Sequence, residues 1–290
     1  MKSALIKLHT AVFLVGFTGV LGVLIQLSEL PLVWYRISIT VISLFALLKF
    51  KKQLTPLPKK SIQQLLLIGT VIALHWVCFY GSIKLSNVSI ALVCFSSTGL
   101  FTALLEPLFI TKRIRWVELG LGLFSIAGIY LIFHFDDRHK TGIIVGVIAA
   151  VLAALFSVLN KKHLAITDAK QMMLYELVGG WLILTCLLPF YIHLFPNANL
   201  FPTLTDWGWL LILSWVCTIV AMQLMLESLQ KVSAFTQNLS LNLEPVYAIT
   251  MAFMLFQENK TLHSSFYIGV ALILFSVILQ MLRIVIGKRS

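Results

Sequence analysis

The sequence predicts an all-α membrane protein of ten transmembrane helices, arranged as two inverted five-helix repeats. Three observations predict this architecture. Apolar stretches of membrane-spanning length fill nearly the whole 290-residue chain, basic residues gather in every second gap between them, and the two halves share short motifs in the same order. Composition agrees, because 59% of the residues are hydrophobic and 11% are charged, whereas about a quarter of the residues of a soluble domain are charged.

Each apolar stretch is long enough to cross a bilayer as a helix. A hydrocarbon core about 30 Å thick requires roughly 20 helical residues, since each residue rises about 1.5 Å. In chain order, the predicted spans cover residues 8–26, 32–50, 62–83, 88–111, 116–134, 142–160, 171–192, 207–227, 234–256 and 266–286.

The basic residues predict the orientation of the chain. Of the 22 lysines and arginines, 17 fall on one side of a ten-span arrangement, four fall on the other, and Arg36 lies inside a span. By the positive-inside rule, both termini are cytoplasmic in a multi-pass protein of the cell (inner or plasma) membrane. The net charge of +11 therefore reflects topology, and no nucleic-acid partner is expected.

The connections between the spans are too short to hold a folded soluble domain, so function must be carried out in the bilayer or at its surfaces. The sequence has neither a Gly-rich phosphate loop nor a zinc-type His-Glu-x-x-His motif, so we expect no enzyme activity, no cofactor and no metal. The expected partners are the lipid bilayer and a small-molecule substrate, with possible proton or ion coupling. The expected assembly is a monomer or a homodimer.

Weak self-similarity relates the two halves. Three motifs recur in the same order: residues 32–36 match 172–176, residues 87–91 match 231–235, and residues 98–101 match 244–247. Five spans per half is an odd number, so the halves must have opposite orientations. Inverted repeats are typical of secondary transporters, in which two bundles rock about a site near the midplane. We predict a first repeat over residues 1–135, an external linker over 136–141 and a second repeat over 142–290.

These residues also resemble a family. The run Asn242-Leu243-Glu244-Pro245-Val246-Tyr247, the sequence Phe256-Gln257-Glu258 after it and the run Trp34-Tyr35-Arg36 are similar to motifs of EamA-like, ten-helix members of the drug/metabolite transporter superfamily. The resemblance implies a carrier for small compounds such as amino acids, nucleosides, sugars or drugs. It does not extend to the membrane glutamate that the small four-helix relatives use for proton coupling in their first span.

Arg36 is a charged group within a span, which makes it a functional candidate because burying a charge in lipid is expensive. It lies about 6 Å below the outer face by helical rise. One interpretation is that it snorkels to the lipid headgroups beside Trp34 and Tyr35. The other is that it binds an anion at the mouth of a cavity, since a guanidinium group offers a fork that matches a carboxylate.

Glu244 is the deepest acid, about 15 Å from the cytoplasmic face. Pro245 follows it and removes a backbone hydrogen bond, so we expect a bent helix there. Asn238 and Asn242 share a face with Pro245. Glu244 either bonds to a neighbouring helix or takes part in binding substrate or a proton. A carboxyl group there can take up a proton in one facing state and release it in the other.

The remaining candidates are polar or aromatic residues within spans. His75 is either a hydrogen-bonded packing residue or part of an aromatic wall with Trp76 and Tyr80. Tyr175, which precedes Glu176 in the second-half motif, and Gln223 of the eighth span complete the set of candidate transport-pathway residues.

The sequence therefore predicts an integral membrane secondary transporter that exports or exchanges a small amphipathic metabolite, such as an amino acid, by alternating access. A passive facilitator is the nearest alternative, followed by an intramembrane enzyme or a scaffold.

Overall fold

A computed structural model describes residues 2–110, 116–135, 139–163, 168–241, 243–260 and 262–286. These residues form helices and the connections between them, without a β-strand. In chain order the helices are α1 (Lys2–Leu24), α2 (Glu29–Phe50), α3 (Lys59–Leu85), α4 (Val88–Phe95), α5 (Thr98–Phe109), α6 (Trp116–Phe135), α7 (Lys140–His163), α8 (Ala169–Leu194), α9 (Leu204–Ser214), a π-helical segment (Trp215–Val220), α10 (Ala221–Leu229), α11 (Ala234–Leu241), α12 (Glu244–Phe256), a 3₁₀ turn (Glu258–Lys260) and α13 (Ser264–Ile286).

Seven helical stretches among the described residues are long and apolar enough to cross a membrane. They are Ser3–Leu24, Glu29–Phe50, Lys59–Leu85, Val88–Phe109, Lys140–His163, Ala169–Leu194 and Leu204–Leu229. The prediction of an all-α membrane protein is therefore confirmed. The count of ten spans and their inverted arrangement stay predictions.

Two predicted spans are not continuous helices. Residues 88–111 divide into α4 and α5, and residues 234–256 divide into α11 and α12. At the first break, the hydroxyls of Ser96 and Ser97 donate hydrogen bonds to the carbonyls of Val93 and Cys94, each at 2.6 Å. Such bonds compete with the helical ladder. At the second break, Pro245 has no backbone N–H to donate and lies in the first turn of α12, where proline is tolerated. The sequence predicts a bend at this position, whereas the structure shows two separate helices, α11 and α12.

The centre of the fold is α3, which packs against α7 and α8. Its contact with α8 brings the two backbones together. A Cβ atom on Gly69 would lie 1.7 Å from the carbonyl oxygen of Glu176, and one on Gly179 would lie 2.1 Å from that of Leu66. Small residues allow such approach between membrane helices.

Helices of the first half pack mainly against helices of the second. In addition to the contacts of α3, α1 packs against α10 and α12, α2 against α8 and α9, α4 against α12, α5 against α7, and α6 against α13. The space between the halves is therefore bordered by helices from both.

Candidate functional site

A cavity of about 90 Å³ lies between the two halves. A single water molecule needs about 10 to 15 Å³ by the same measure, so the cavity has room for a small solute. Four aromatic side chains contribute to its wall, namely Trp76, Phe79, Phe95 and Phe156. Its polar lining consists of Thr18, Arg36, His75, Ser157, Thr218, Gln237 and Glu244.

Both helix breaks border this cavity. Phe95 is the last residue of α4, and Glu244 is the first residue of α12. Interrupted helices at corresponding positions of two repeats commonly form the substrate site of a transporter, because their ends present backbone groups and dipoles to the ligand. The break after α11 also places Glu244 at a helix N-terminus, which favours negative charge.

Arg36 extends into the protein interior and is 3% exposed. The snorkelling interpretation is therefore wrong, since the side chain lines the cavity. Its Nε donates to the hydroxyl of Thr218 at 2.8 Å, and its Nη1 donates to that of Tyr80 at 3.2 Å. The guanidinium carbon lies 3.8 Å from the centre of the Trp76 ring, a cation–π contact. Nη2 has no hydrogen-bond partner among the described residues, so a donor remains available to a ligand.

The π-helical segment positions Thr218 for this interaction. The Thr218 hydroxyl donates to the carbonyl of Leu213, five residues earlier, at 2.7 Å, and accepts from Arg36. Single π-helical turns occur frequently at functional sites. Sequence reasoning did not identify Thr218, because a threonine within an apolar run carries no signal of its own.

Tyr80 is completely buried and needs the absence of a side chain at Gly22. A Cβ atom on Gly22 would lie 2.7 Å from two carbon atoms of the Tyr80 ring, which is too close for any real contact. Gly22 therefore allows the Tyr80 hydroxyl to reach Arg36.

Glu244 presents a carboxyl group to the same cavity and is 1% exposed. Its Oε2 is buried without a hydrogen-bond partner among the described residues. Within the described part of the chain, Glu244 and Arg36 do not form an ion pair at 4.0 Å or less. An acidic group and a basic group thus face one cavity without direct contact between them.

His75 both packs and lines the cavity. Its Nδ1 donates to the carbonyl of Ala149 at 2.8 Å, so the histidine is hydrogen-bonded, as the packing interpretation expects. Its ring centre lies 5.4 Å from that of Phe95 and 6.2 Å from that of Phe79. These three rings form a continuous aromatic wall.

Three predicted pathway residues lie outside the cavity lining: Tyr80, whose hydroxyl accepts from Arg36, Tyr175 and Gln223. Tyr175 packs against the main hydrophobic core. The Gln223 side-chain amide donates to Oε1 of Glu227 at 2.7 Å, beside the ion pair between Glu227 and Lys7 at 2.6 Å. Gln223 therefore stabilises the contact between α1 and α10.

The asparagines of the ninth predicted span cannot be placed at the site. The side chain of Asn238, on α11, and the whole of Asn242 lie outside the part of the chain that the structure describes. Gln237, the neighbour of Asn238, lines the cavity instead.

Comparisons with known proteins agree with a transporter. An uncharacterized transporter from Haemophilus influenzae is 29% identical over 167 residues, which cover 54% of this chain and 54% of that protein. The matched region therefore spans about half the length of this curated relative. A protein of known crystal structure aligns with a TM-score of 0.68 at 15% identity, covering 95% of this chain and 96% of the other. It has the same overall fold.

The sequence profile of the EamA-like transporter family matches the chain twice, over residues 2–134 and 140–282. Together the two matches cover nearly the whole chain. The protein belongs to the EamA-like transporter family, within the drug/metabolite transporter superfamily.

Proposed function

We propose that this membrane transporter exports or exchanges a small amphipathic metabolite, of the amino acid class, by alternating access. The observation that carries the proposal is the cavity itself. Among the described residues, Nη2 of Arg36 and Oε2 of Glu244 have no hydrogen-bond partner in this cavity, and an aromatic wall lies beside them between the two halves.

The two charged groups suit a zwitterion. A guanidinium group binds a carboxylate through parallel hydrogen bonds, so Arg36 is assigned to the substrate carboxylate. Glu244 is assigned to the substrate ammonium group. A solute that bridges the two groups neutralises both charges, which compensates for the loss of their water.

The aromatic wall suits the apolar part of the same solute. His75, Phe79 and Phe95 offer flat apolar surfaces, and pockets usually combine such surfaces with a few polar groups that fix orientation. An amphipathic molecule with one apolar end therefore matches the lining better than a sugar, whose hydroxyls need hydrogen bonds along its whole surface.

The proposed alternating access uses two inverted halves, and the helix contacts support this arrangement. In two five-span repeats, the first span corresponds to the sixth, the second to the seventh, and so on. If the halves are equivalent, each contact between two helices should have a counterpart between the two corresponding helices. The α3–α7 contact becomes the α1–α10 contact, and α5–α7 becomes α1–α12; both pairs occur. The two family matches end at residue 134 and begin again at residue 140, which supports a boundary between the halves in this region.

Flux measurements test the proposal. Purified protein in liposomes is expected to move members of a labelled panel of amino acids and related amphipathic metabolites, with empty liposomes as the control. Accumulation against a gradient separates a coupled transporter from a passive facilitator. Failure to move any member of the panel, together with tight binding of a soluble protein or formation of a product, would support the scaffold or enzyme alternative.

Reporter fusions test the proposed topology. With both termini in the cytoplasm and ten spans, a reporter at Ser290 gives the cytoplasmic signal. A reporter in the connection between α8 and α9 gives the external signal. The reverse pattern contradicts the topology.

A further inference from the structure

A second buried carboxyl group lies apart from the cavity lining. Glu176 on α8 is 0% exposed, and neither of its carboxyl oxygens has a hydrogen-bond partner among the described residues. Asn160 on α7 approaches Glu176 closely enough for the two side chains to interact, although not with the geometry of a well-formed hydrogen bond. Asn160 is equally buried, and its amide nitrogen and oxygen also lack a well-formed hydrogen bond. Buried polar groups are nearly always paired, so a carboxyl group and an amide that have only each other, without a well-formed hydrogen bond among the described residues, require an explanation.

The position of Glu176 mirrors that of Arg36. The two residues end the matching motifs 32–36 and 172–176. The carbonyl oxygen of Arg36 accepts a hydrogen bond from the Ser214 hydroxyl at 3.1 Å. The carbonyl oxygen of Glu176 also faces a helix of the other half, where it lies close to the backbone of Gly69. The backbone at each of these two positions therefore contacts a helix of the other half: α2 contacts α9, and α8 contacts α3.

The side chains at these two positions differ in their access to the cavity. Arg36 lines it, while Glu176 is enclosed between α3, α7 and α8. In an inverted-repeat carrier the opposite-facing state is reached when the two halves exchange conformations. After this exchange, the first half would enclose Arg36, and the second half would bring Glu176 to the cavity.

We propose that Arg36 and Glu176 exchange places at the cavity during each transport cycle, and that Glu176 carries a proton while it is enclosed. The inference rests on the proposed transport function, and it assigns to that same site a residue, distinct from Glu244, whose protonation accompanies the change of state.

The enclosed position of the Glu176 carboxyl group favours its protonated, uncharged form. The carboxyl oxygens and the amide atoms of Asn160 cannot be reached by a sphere the size of a water molecule, so no hydrated ion can sit against the carboxyl group. An isolated carboxylate in such a place carries a large desolvation cost. A proton removes the charge without requiring space.

Neighbouring charges do not replace the proton. Among the described residues, no lysine, arginine or histidine forms an ion pair with Glu176. Several charged or titratable side chains on the surrounding helices bond to other groups: Arg36 to Thr218, His75 to Ala149, Lys161 to Leu229 and Val232, His163 to Leu159, and Glu227 to Lys7.

The exchange has a consequence for the substrate. A cavity lined by Arg36 attracts a carboxylate, whereas a cavity lined by a deprotonated Glu176 repels one. The proton that leaves Glu176 passes to water in the opened cavity, and the negative charge that remains favours release of an anionic group. Before Glu176 is enclosed again, its carboxylate takes up one proton from the water of the same cavity, so the proton leaves and returns on one side of the membrane.

Infrared spectroscopy tests the enclosed proton without requiring a substrate. Protein in lipid nanodiscs at neutral pH is expected to show the carbonyl band of a protonated carboxyl group, which Glu176→Gln loses. Glu244→Gln is the matched control and should retain this component of the band. Spectra of the unmodified protein and of Glu176→Gln that coincide in this region would overturn the proposal.

Thiol labelling tests the exchange. In a background with the four native cysteines replaced by serine, Arg36→Cys and Glu176→Cys are expected to react with a small, positively charged methanethiosulfonate. Leu177→Cys should not react, since Leu177 is the next residue along α8 and is also 0% exposed. A Glu176→Cys thiol as inert as that of Leu177→Cys, under pH gradients of either direction, would contradict the exchange.

The two readouts separate this inference from the proposed function. Neither measurement depends on flux, and the infrared measurement retains the native cysteines. If flux persists while band and labelling both fail, only the role of Glu176 is wrong. If no solute moves while Glu176 behaves as described, the substrate assignment is wrong instead.

Discussion

Replacement of Gly69 by alanine provides the sharpest test of how α3 and α8 fit together. The added Cβ atom would lie 1.7 Å from the carbonyl oxygen of Glu176, whereas real Cβ contacts essentially never fall below 3.0 Å. The two backbones would have to separate by about 1.3 Å. The obstacle is backbone rather than a flexible side chain, so no rotamer change relieves it. Overpacking of this kind costs about 1 to 3 kcal/mol.

Gly208→Ala is the matched control, because a Cβ atom there meets nothing within 4 Å. Thermal unfolding of both purified variants in detergent measures the difference. We expect Gly69→Ala to unfold at a clearly lower temperature, and Gly208→Ala to lie within about 0.5 kcal/mol of the unmodified protein. Equal stability of the two variants would refute the close backbone contact.

Three further substitutions probe the site and its supports. Thr218→Val leaves the buried Nε of Arg36 without its acceptor, at a cost of about 1 to 3 kcal/mol, so the apparent substrate affinity in liposomes should fall. Glu244→Gln keeps shape and removes the charge, so the pH dependence of transport should flatten at normal expression. Glu258→Gln weakens the buried carboxylate that accepts from the backbone N–H groups of Val88 and Ser89 at 3.1 Å. Thermal unfolding of Glu258→Gln should show a free energy of unfolding about 0.5 to 2 kcal/mol lower than that of the unmodified protein, as for other helix caps.

Each of these changes has a defined contrary outcome. Thr218→Ser retains the hydroxyl and should behave nearly as the unmodified protein; loss of affinity in both variants would show that the methyl group matters. Survival of transport and its pH dependence in Glu244→Gln would make that residue structural. An unchanged unfolding temperature in Glu258→Gln would mean that the cap does not contribute to stability.

The sequence predicts the membrane class and several cavity residues for one physical reason. A charge or an aromatic and polar cluster within an apolar run is costly against lipid, so it is expected to face protein. Arg36, Trp76, His75 and Glu244 were identified in this way, and all four line the cavity. Tyr80 does not line it but contacts Arg36.

The features that sequence reasoning missed depend on three-dimensional detail. The division of the fourth predicted span accompanies serine hydroxyls that compete for backbone carbonyls, and serines with such bonds also occur in continuous helices. Thr218 becomes important only through a π-helical turn. Gln223 was expected in the pathway but bonds to Glu227, because hydrophobic periodicity alone does not distinguish the cavity face of a span from other buried faces.

The most direct test of the account is a binding measurement that removes one charge at a time from both partners. The amino acid with the highest flux, its amide and its deaminated acid are compared for binding to the unmodified protein, Arg36→Met and Glu244→Gln. We predict that the unmodified protein binds the amino acid best, by roughly tenfold or more per removed charge, since a charged hydrogen bond is worth about 1.5 to 3 kcal/mol. Arg36→Met should no longer distinguish the amino acid from its amide, and Glu244→Gln should no longer distinguish it from the deaminated acid. Full discrimination by both variants would contradict the assignment of this cavity as the substrate site.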